Sequence, residues 1–436
     1  YARLLGVNEF GFGLMAAIPY AATLGQLPAS FFIERFGHRK ALFVVPNLLH
    51  RALWLVIALI PWVLPSALQA RGLILLMLIS TLAASLAVPS WYGWICALVP
   101  ANIRGRYFSR RTQAGQIVGL VMTLAVGYLL DWAEGISRVA LAHVLSAVLA
   151  LAAVLGITDI LFFLRIPDRQ TAAAGTSLSL RQMLAEPLRN RSFRYYLAFA
   201  ATFVFAIGFV GQFIWLYLLE VVGMSNAHAN LLLILGPMVI ALFGVPVWGR
   251  LIDRLGRKPV LIVAGICVIP GSLAWVLITR EHWFPAYFIV IVVSLAWPGL
   301  DLASFNILLG MTGRRLGSAY AAIHSLVVAT AGTVSGLCAG ALARGLRDWR
   351  GEFLGIPFTY HAVLFFLSTV LRGLALLWLR GVEEPRAFSV RGTFRIVAVN
   401  MYSNLQQTLF ALFVPVRLVG RWTYKLLPTR RWLHWR

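Results

Sequence analysis

The chain has 436 residues, 60% of them hydrophobic and only 12% charged, with a mean hydropathy of +0.82. That balance excludes a water-soluble globular fold and points to an all-α polytopic membrane protein of ten to twelve spans. The formal charge of +23 does not argue for nucleic acid, because the basic residues fall in short loops between apolar runs and in the last stretch of chain, where anionic lipid is the natural counterpart.

Eleven apolar runs, each near the ~20 residues that cross ~30 Å of hydrocarbon, fall at 10–33, 41–64, 73–99, 112–130, 138–164, 195–219, 229–248, 259–279, 284–309, 317–343 and 356–379. Alternate joins at 34–40, 100–111, 165–194, 249–258 and 310–315 carry 19 Lys and Arg. The opposite set carries 7: Arg3, Arg71, Arg138, Arg280, Arg344, Arg347 and Arg350. The positive-inside bias therefore makes the first set cytoplasmic and sets Tyr1 on the other side.

In the second run Arg51, preceded by His50, sits about ten residues from Lys40, or ~15 Å deep. That is too deep for snorkelling, so it needs an internal anion, a carbonyl cluster or water. The third run holds Trp91 and Tyr92, and the fourth Gln113 and Gln116. Residues 165–194 read as a cytoplasmic linker, small and polar at Thr171–Ser179, followed by a short interfacial helix at Leu180–Leu188. Gln212 and Trp215 mark the sixth run, Trp297, Asp301 and Asn306 the ninth, Tyr320 and His324 the tenth. Asp301 is a carboxylate about eight residues inside the end of its run at Leu309, after Trp297-Pro298-Gly299, which should loosen the helix locally. An acid at that depth is a site hypothesis by default, as a proton-titrating or cation-pairing group. Amides and aromatic faces in this set suit sugars, nucleosides or amphipathic organic solutes.

The tail, 381–436, is of another kind. Glu383-Glu384-Pro385 ends the last run, 394–419 is too interrupted to span, and Arg421-Trp422 to Trp435-Arg436 alternates cations with interfacial aromatics. It reads as a basic amphipathic cytoplasmic segment whose partner is anionic lipid. Cys96, Cys267 and Cys338 are scattered in apolar runs with no metal or disulfide spacing, and no nucleotide-binding glycine loop occurs, so no metal and no cofactor are expected.

Between the seventh and eighth runs stands Gly249-Arg-Leu-Ile-Asp253-Arg254-Leu-Gly256-Arg257-Lys258. A degenerate copy precedes it by 219 residues: Ser30-Phe-Phe-Ile-Glu34-Arg35-Phe-Gly37-His38-Arg39-Lys40. A second echo, Pro89-Ser-Trp91-Tyr92 leading to Arg104 and Pro298-Gly-Leu-Asp301 leading to Gly313-Arg314, has an offset of 209. Both pair the same two halves of the chain.

The paired loop resembles the Gly-x-x-x-Asp-Arg-x-Gly-Arg-Lys signature of the major facilitator superfamily, over the chain from its start to about Arg380. The resemblance implies two pseudo-symmetric six-helix bundles with this loop after the second helix of each. Eleven of twelve helices are then present, the chain opening at Tyr1 with the first expected upstream. The implied division is an N-terminal bundle at 1–164, the linker at 165–194, a C-terminal bundle at 195–380 and the tail at 381–436. It also implies that Asp301 faces a central cavity on the tenth helix, and that Gly25, Pro28, Gly236, Pro237, Gly244 and Pro246 permit helix bending. Glu34, Arg35, Gly37 and Arg39, with Gly249, Asp253, Arg254, Gly256, Arg257 and Lys258, would form cytoplasmic latches. The proline of the drug–proton antiporter signature is missing beside Gly115, Gly119 and Gly127, which argues against drug antiport.

The expectation is a monomeric secondary transporter of a small organic solute in the plasma membrane, of the bacterial inner-membrane kind, with H+ as coupling ion. A transporter-like sensor or scaffold is the first alternative. A membrane transferase is disfavoured by the scarcity of loop acids.

Overall fold

In a computed structural model the described residues form helices joined by turns, with one short hairpin among them. The structure describes residues 1–26, 28–29, 32, 39–98, 104–166, 187–311, 317–353, 356–384 and 393. Among the described residues nine helices are long and apolar enough to cross a membrane, or ten if the bent pair Asn226–Ala241 and Phe243–Leu255 is one span.

Helix α1 covers Glu9–Thr23, α2 Arg39–Val63, α3 Ser66–Leu98, α4 Arg104–Ile136 and α5 Arg138–Phe163. Beyond the linker, α6 covers Arg191–Gly208, followed by α7, Gly211–Leu216, and a π turn at Tyr217–Val222. Helix α8, Asn226–Asn230, passes through a π turn at Leu231–Leu235 into α9, Gly236–Leu255. Then come α10, Arg257–Ala274, α11, Pro285–Met311, α12, Gly317–Gly345, and α13, Tyr360–Trp378. Starts are set by side-chain caps: Asn8, Ser137, Asn190 and Ser225 each accept from an amide in the first turn that follows.

Two details depart from the sequence reading. The expected span 10–33 begins in α1, but α1 ends after 15 residues at a turn over Leu24–Gly25, and the rest of that run lies largely outside the described residues. The run expected from 356 starts later, at Tyr360, because Gly351–Phe353 and Ile356–Phe358 pair as antiparallel strands β1 and β2. Pro357 holds the residue before it extended, which suits a strand and not a helix start.

Helix pairing follows one pattern twice. In the first part α1 packs on α3, α2 on α3 and α5, and α4 on α5. In the second, α9 packs on α11, α10 on α11 and α13, and α12 on α13. Helix α6 lies against α12 and α13. The proline of α11 is accommodated rather than exposed: the Trp248 indole lies on Gly299, where any Cβ would collide, and donates to the Leu295 carbonyl at 2.6 Å. That supplies a donor in the turn that Pro298 leaves short of one.

The apolar core divides unevenly. One cluster draws on both parts of the chain, with Leu5, Phe12, Ile57 and Leu73 against Phe213, Leu218, Leu232 and Phe365. All of these lie toward the helix ends remote from the 249–258 loop. Toward that loop the core is two separate clusters, Phe193 to Val382 in one part and Phe43, Val44, Ala87, Trp94 and Ile160 in the other. Among the described residues, burial of apolar surface therefore joins the two parts at the end remote from that loop.

Candidate functional site

The joined end is held by small residues and charge. Gly13 of α1 lies backbone to backbone against Gly336 and Gly340 of α12, and Gly332 receives the face of Tyr20. Gly332, Gly336 and Gly340 form a four-residue repeat of the kind that lets membrane helices touch. On the other side of α12, the Ser335 hydroxyl donates to the Phe205 carbonyl, fixing it to α6.

Arg3 bridges the two parts around this contact. Its guanidinium is 2.6 Å from Glu220 and 3.1 Å from Glu9, while Arg347 approaches Glu9 at 3.8 Å. The Glu220 hydrogen bond raises the Arg3 pKa beyond the usual arginine range. Burial works against the Glu9 carboxylate, but its own backbone hydrogen bond, Arg3 and Arg347 outweigh burial and hold its pKa below the ordinary value. A second bridge joins α4 to α8. The Asp131 oxygens accept from the amides of Asn226 and Ala227, and Glu134 accepts from the Asn226 side chain.

Toward the 249–258 loop the parts separate. Thr23, Leu24 and Gln26 at the end of α1 face Ala321, Ala322, Ser325 and Leu326 of α12 across a cleft of about 190 Å³. On α4, Gly127 touches Asn230 and Ala227, whereas a Cβ at Gly115 or Gly119 would meet nothing within 4 Å.

The candidate residues sort against this frame. Val290, Ser294, Trp297 and Asp301 share one face of α11 by their spacing. Val290 and Ser294 are buried, Trp297 half-buried and Asp301 exposed, so this face opens at the acid. Asp301 accepts a hydrogen bond from the Trp297 side chain. Trp297 contacts Phe203, whose ring leads through Phe199 to Tyr196. Tyr196 stacks on His324 with centroids 5.5 Å apart and bonds to Ser304 at 2.9 Å. Tyr320 packs edge-on against Phe193 in the same part. Asp301, Trp297 and His324 are thus joined through residues the sequence reading did not single out, Tyr196, Phe203 and Ser304.

Other candidates lie elsewhere. Trp91 packs with Phe43 and Phe163 under the Arg111 guanidinium, 4.9 Å from its ring. Arg51 lies along Gly156 of α5 with its Nε unpartnered. Asn306 is tied within α11, its amide on the Leu302 carbonyl and its own carbonyl on Arg257. Gln116 is half-buried; Gln212 is exposed and Trp215 half-buried near the joined end. The side chains of Tyr92, Gln113 and Arg39 lie outside the described set, as do residues Glu34, Arg35 and Gly37.

Arg372 is not among the candidates named from the sequence, yet the structure places it beside them. It is 5% exposed, its guanidinium lies 5.9 Å from the rings of both Phe203 and Trp297, and its Nε has no acceptor. The signal that could have found it is its register on α13, where Leu364, Ser368, Arg372 and Ala375 form the buried stripe.

In the 249–258 loop, Gly256 takes φ +96°, which a side chain would resist, and separates α9 from α10. The Glu384 carboxylate caps α10 at the amides of Arg257 and Lys258, 3.1 Å and 2.8 Å away. Lys258 Nζ donates to the Val382 carbonyl, while Asp253 and Arg254 are exposed and, among the described residues, a Cβ at Gly249 would meet nothing within 4 Å.

The family model for the Major Facilitator Superfamily matches residues 1–336. Among solved structures the chain is similar to a mutant of the nucleoside transporter NupG, with a TM-score of 0.66 and 11% identity over 87% of this chain and 92% of that one. It is similar to a D-xylose–proton symporter, with a TM-score of 0.65 and 16% identity over 90% and 92% of the two chains. The xylose transporter XylE from E. coli, in a partially occluded inward-open conformation, gives a TM-score of 0.60 at 16% identity over 87% and 89%. No curated protein matches the chain.

Proposed function

The chain belongs to the major facilitator superfamily and is a membrane transporter, and from that premise we propose a secondary active transporter that moves a small organic solute by alternating access, driven by H+. The observation that carries this reading is the divided core: one shared cluster at the end remote from the motif loop, two separate clusters toward it. Such a body is closed on one side and parted on the other, and the reversed state requires only that the charged bridges and glycine contact exchange for contacts at the loop end.

Two related bundles of eleven helices in this chain, 1–164 and 195–380, fit the repeated pairing pattern. Further support comes from Lys40, which donates to the Leu164 carbonyl at the end of α5 as Lys258 donates to Val382 after α13. Both the lysines and the carbonyls are offset by 218 residues. Placing the loops with the excess of Arg and Lys in the cytoplasm makes the described state inward-facing.

Asp301 is the proton-carrying group in this reading. It is an exposed carboxylate ten residues before the end of α11 at Met311, or ~15 Å in, held by Trp297. The solute rests beside it against Trp297 and His324, which the buried Tyr196 and Tyr320 back from behind. The symporter and nucleoside transporter among the structural neighbours make pentoses and nucleosides the first solutes to try.

The test is purified protein in liposomes loaded with a pH-sensitive dye. A pentose or nucleoside that enters should carry protons with it, and Asp301→Asn should abolish the proton signal while solute exchange persists. Solute entry indifferent to both the proton gradient and the substitution would remove H+ from the reading. Binding without entry would favour the sensor alternative.

A further inference from the structure

A pocket of about 310 Å³ opens on the outer surface of the C-terminal part, between the start of α6 and the end of α13. Arg191, Arg194, Tyr195, Ala198 and Trp378 line it. It is remote from Asp301's exposed face and has no role in the transport reading. The Arg191 guanidinium lies 5.8 Å from the Tyr195 ring, which in turn lies 6.3 Å from the Trp378 ring. Both arginines are exposed, and neither has a carboxylate within salt-bridge distance among the described residues. Among the described residues, the acids just beyond α13 are otherwise engaged or turned to solvent: Glu384 caps α10, and Glu383 is exposed, its amide on Ser192.

From the pocket an apolar stripe runs along α13 into the membrane. Trp378, Leu374, Val370 and Phe366 follow at spacings of four and are all exposed. The pocket thus places two unpaired cations and two amphipathic rings at the cytoplasmic end of an uncovered hydrocarbon face. We infer that this groove binds one anionic phospholipid, its phosphate between Arg191 and Arg194, its glycerol region against Tyr195 and Trp378, and an acyl chain along the stripe.

Charge decides between occupants. The tail beyond α13, 385–436, carries nine Lys and Arg and no acid, so the arginines repel it. A free phosphate would satisfy the cations but leave the stripe and both rings without a partner. A phospholipid satisfies all of them.

The experiment uses the full chain in vesicles containing brominated phosphatidylglycerol or brominated phosphatidylcholine, with tryptophan fluorescence as readout. The difference between the protein and its Trp378→Phe variant isolates the Trp378 signal. Quenching of Trp378 is expected at about tenfold lower mole fraction of the anionic lipid than of the zwitterionic one. The pair Arg191→Gln and Arg194→Gln should erase that preference, the pair Arg191→Lys and Arg194→Lys should largely keep it, and excess inorganic phosphate should leave it in place. Equal quenching of the unaltered protein by both lipids overturns the inference without any variant. So does a preference that survives the glutamine pair, which would assign it to the tail, or one that inorganic phosphate removes, which would make this a small-anion site.

Discussion

The Asp131 carboxylate lies across the first turn of α8, 2.7 Å from the Asn226 amide, and so ties α4, before the linker, to α8, beyond it. The contact is an N-terminal cap supplied from another helix: a negative charge placed where amides are unpaired and the dipole is positive. A cap of this kind contributes about 1 kcal/mol, which is enough to tilt a balance between two conformations. Asp131→Asn should therefore open the capped side more often. Ser294→Cys, buried on Asp301's face seven residues toward that side, reports the opening in a background lacking Cys96, Cys267 and Cys338. Its labelling by an impermeant thiol reagent should quicken about fivefold in Asp131→Asn. Unchanged labelling would show that the cap does not hold the closed side.

The α1–α12 contact sets a steric limit on the same closure. A Cβ at Gly336 would lie 2.7 Å from the Ala17 nitrogen, against backbone that cannot move aside. Gly336→Leu should destabilise the protein by roughly 1–3 kcal/mol, read as a lowered Tm in detergent, and should speed Ser294→Cys labelling as well. Gly119→Ala is the contrast: nothing lies within 4 Å, so Tm should hold or rise slightly. Equal effects of the two substitutions would deny the glycine contact its role.

The Glu9 pairs carry a pH dependence whose sign follows from its lowered pKa. The carboxylate is charged in the folded protein at every pH above its ordinary value of 4.5, and there its pairing with Arg3 and Arg347 is fully present. As pH falls through the depressed folded value the pairs are lost. The Tm difference between the protein and Glu9→Gln should be constant from pH 8 to about 5 and shrink below that. A difference that grew on acidification would mean that the carboxyl is stabilised in its protonated form.

Much of this was legible in the sequence because each feature has a local cause. Apolar length found nine or ten membrane-length helices among the described residues, and Gly256 with its basic neighbours marked the turn between α9 and α10. What stayed hidden depended on partners far along the chain. Nothing near Asp131 tells that Asn226 and Ala227 will lie beneath it, and nothing near Arg3 names Glu220. Arg372 was not among the expected site residues, because depth in a run does not say which way a side chain points. The Gly332-Gly336-Gly340 spacing was the one strong packing signal in the sequence that passed unread.

Arg372 tests whether a buried cation is kept for function. An arginine at membrane depth with no acid beside it costs roughly 2.5–3.5 kcal/mol, softened here by the faces of Phe203 and Trp297. Arg372→Met keeps the volume and removes the charge, so it should hold or raise Tm. Transport should nevertheless fall tenfold or more if the guanidinium sets the position of Trp297, and with it Asp301. Parallel loss of Tm and transport would make Arg372 a packing residue.

Asp253 separates the loop's part in folding from its part in switching. Its neighbours Arg257 and Lys258 are engaged within their own bundle, through the Asn306 and Val382 carbonyls and the Glu384 cap, whereas Asp253 is exposed. A cytoplasmic latch that is released in this state would look like this. Among the described residues Asp253 has no ion-pair partner, so in the proposed inward-facing reading its removal leaves this state little changed and weakens the opposite one, in which that side closes. Asp253→Asn should therefore keep Tm and membrane insertion, slow net uptake several-fold, and make Ser294→Cys slower to label, because the outward-facing state becomes rarer. Glu384→Gln should do the reverse, lowering Tm by loss of a cap worth about 1 kcal/mol with little effect on the labelling rate. Uptake and labelling unaltered in Asp253→Asn would leave the loop a turn and not a latch.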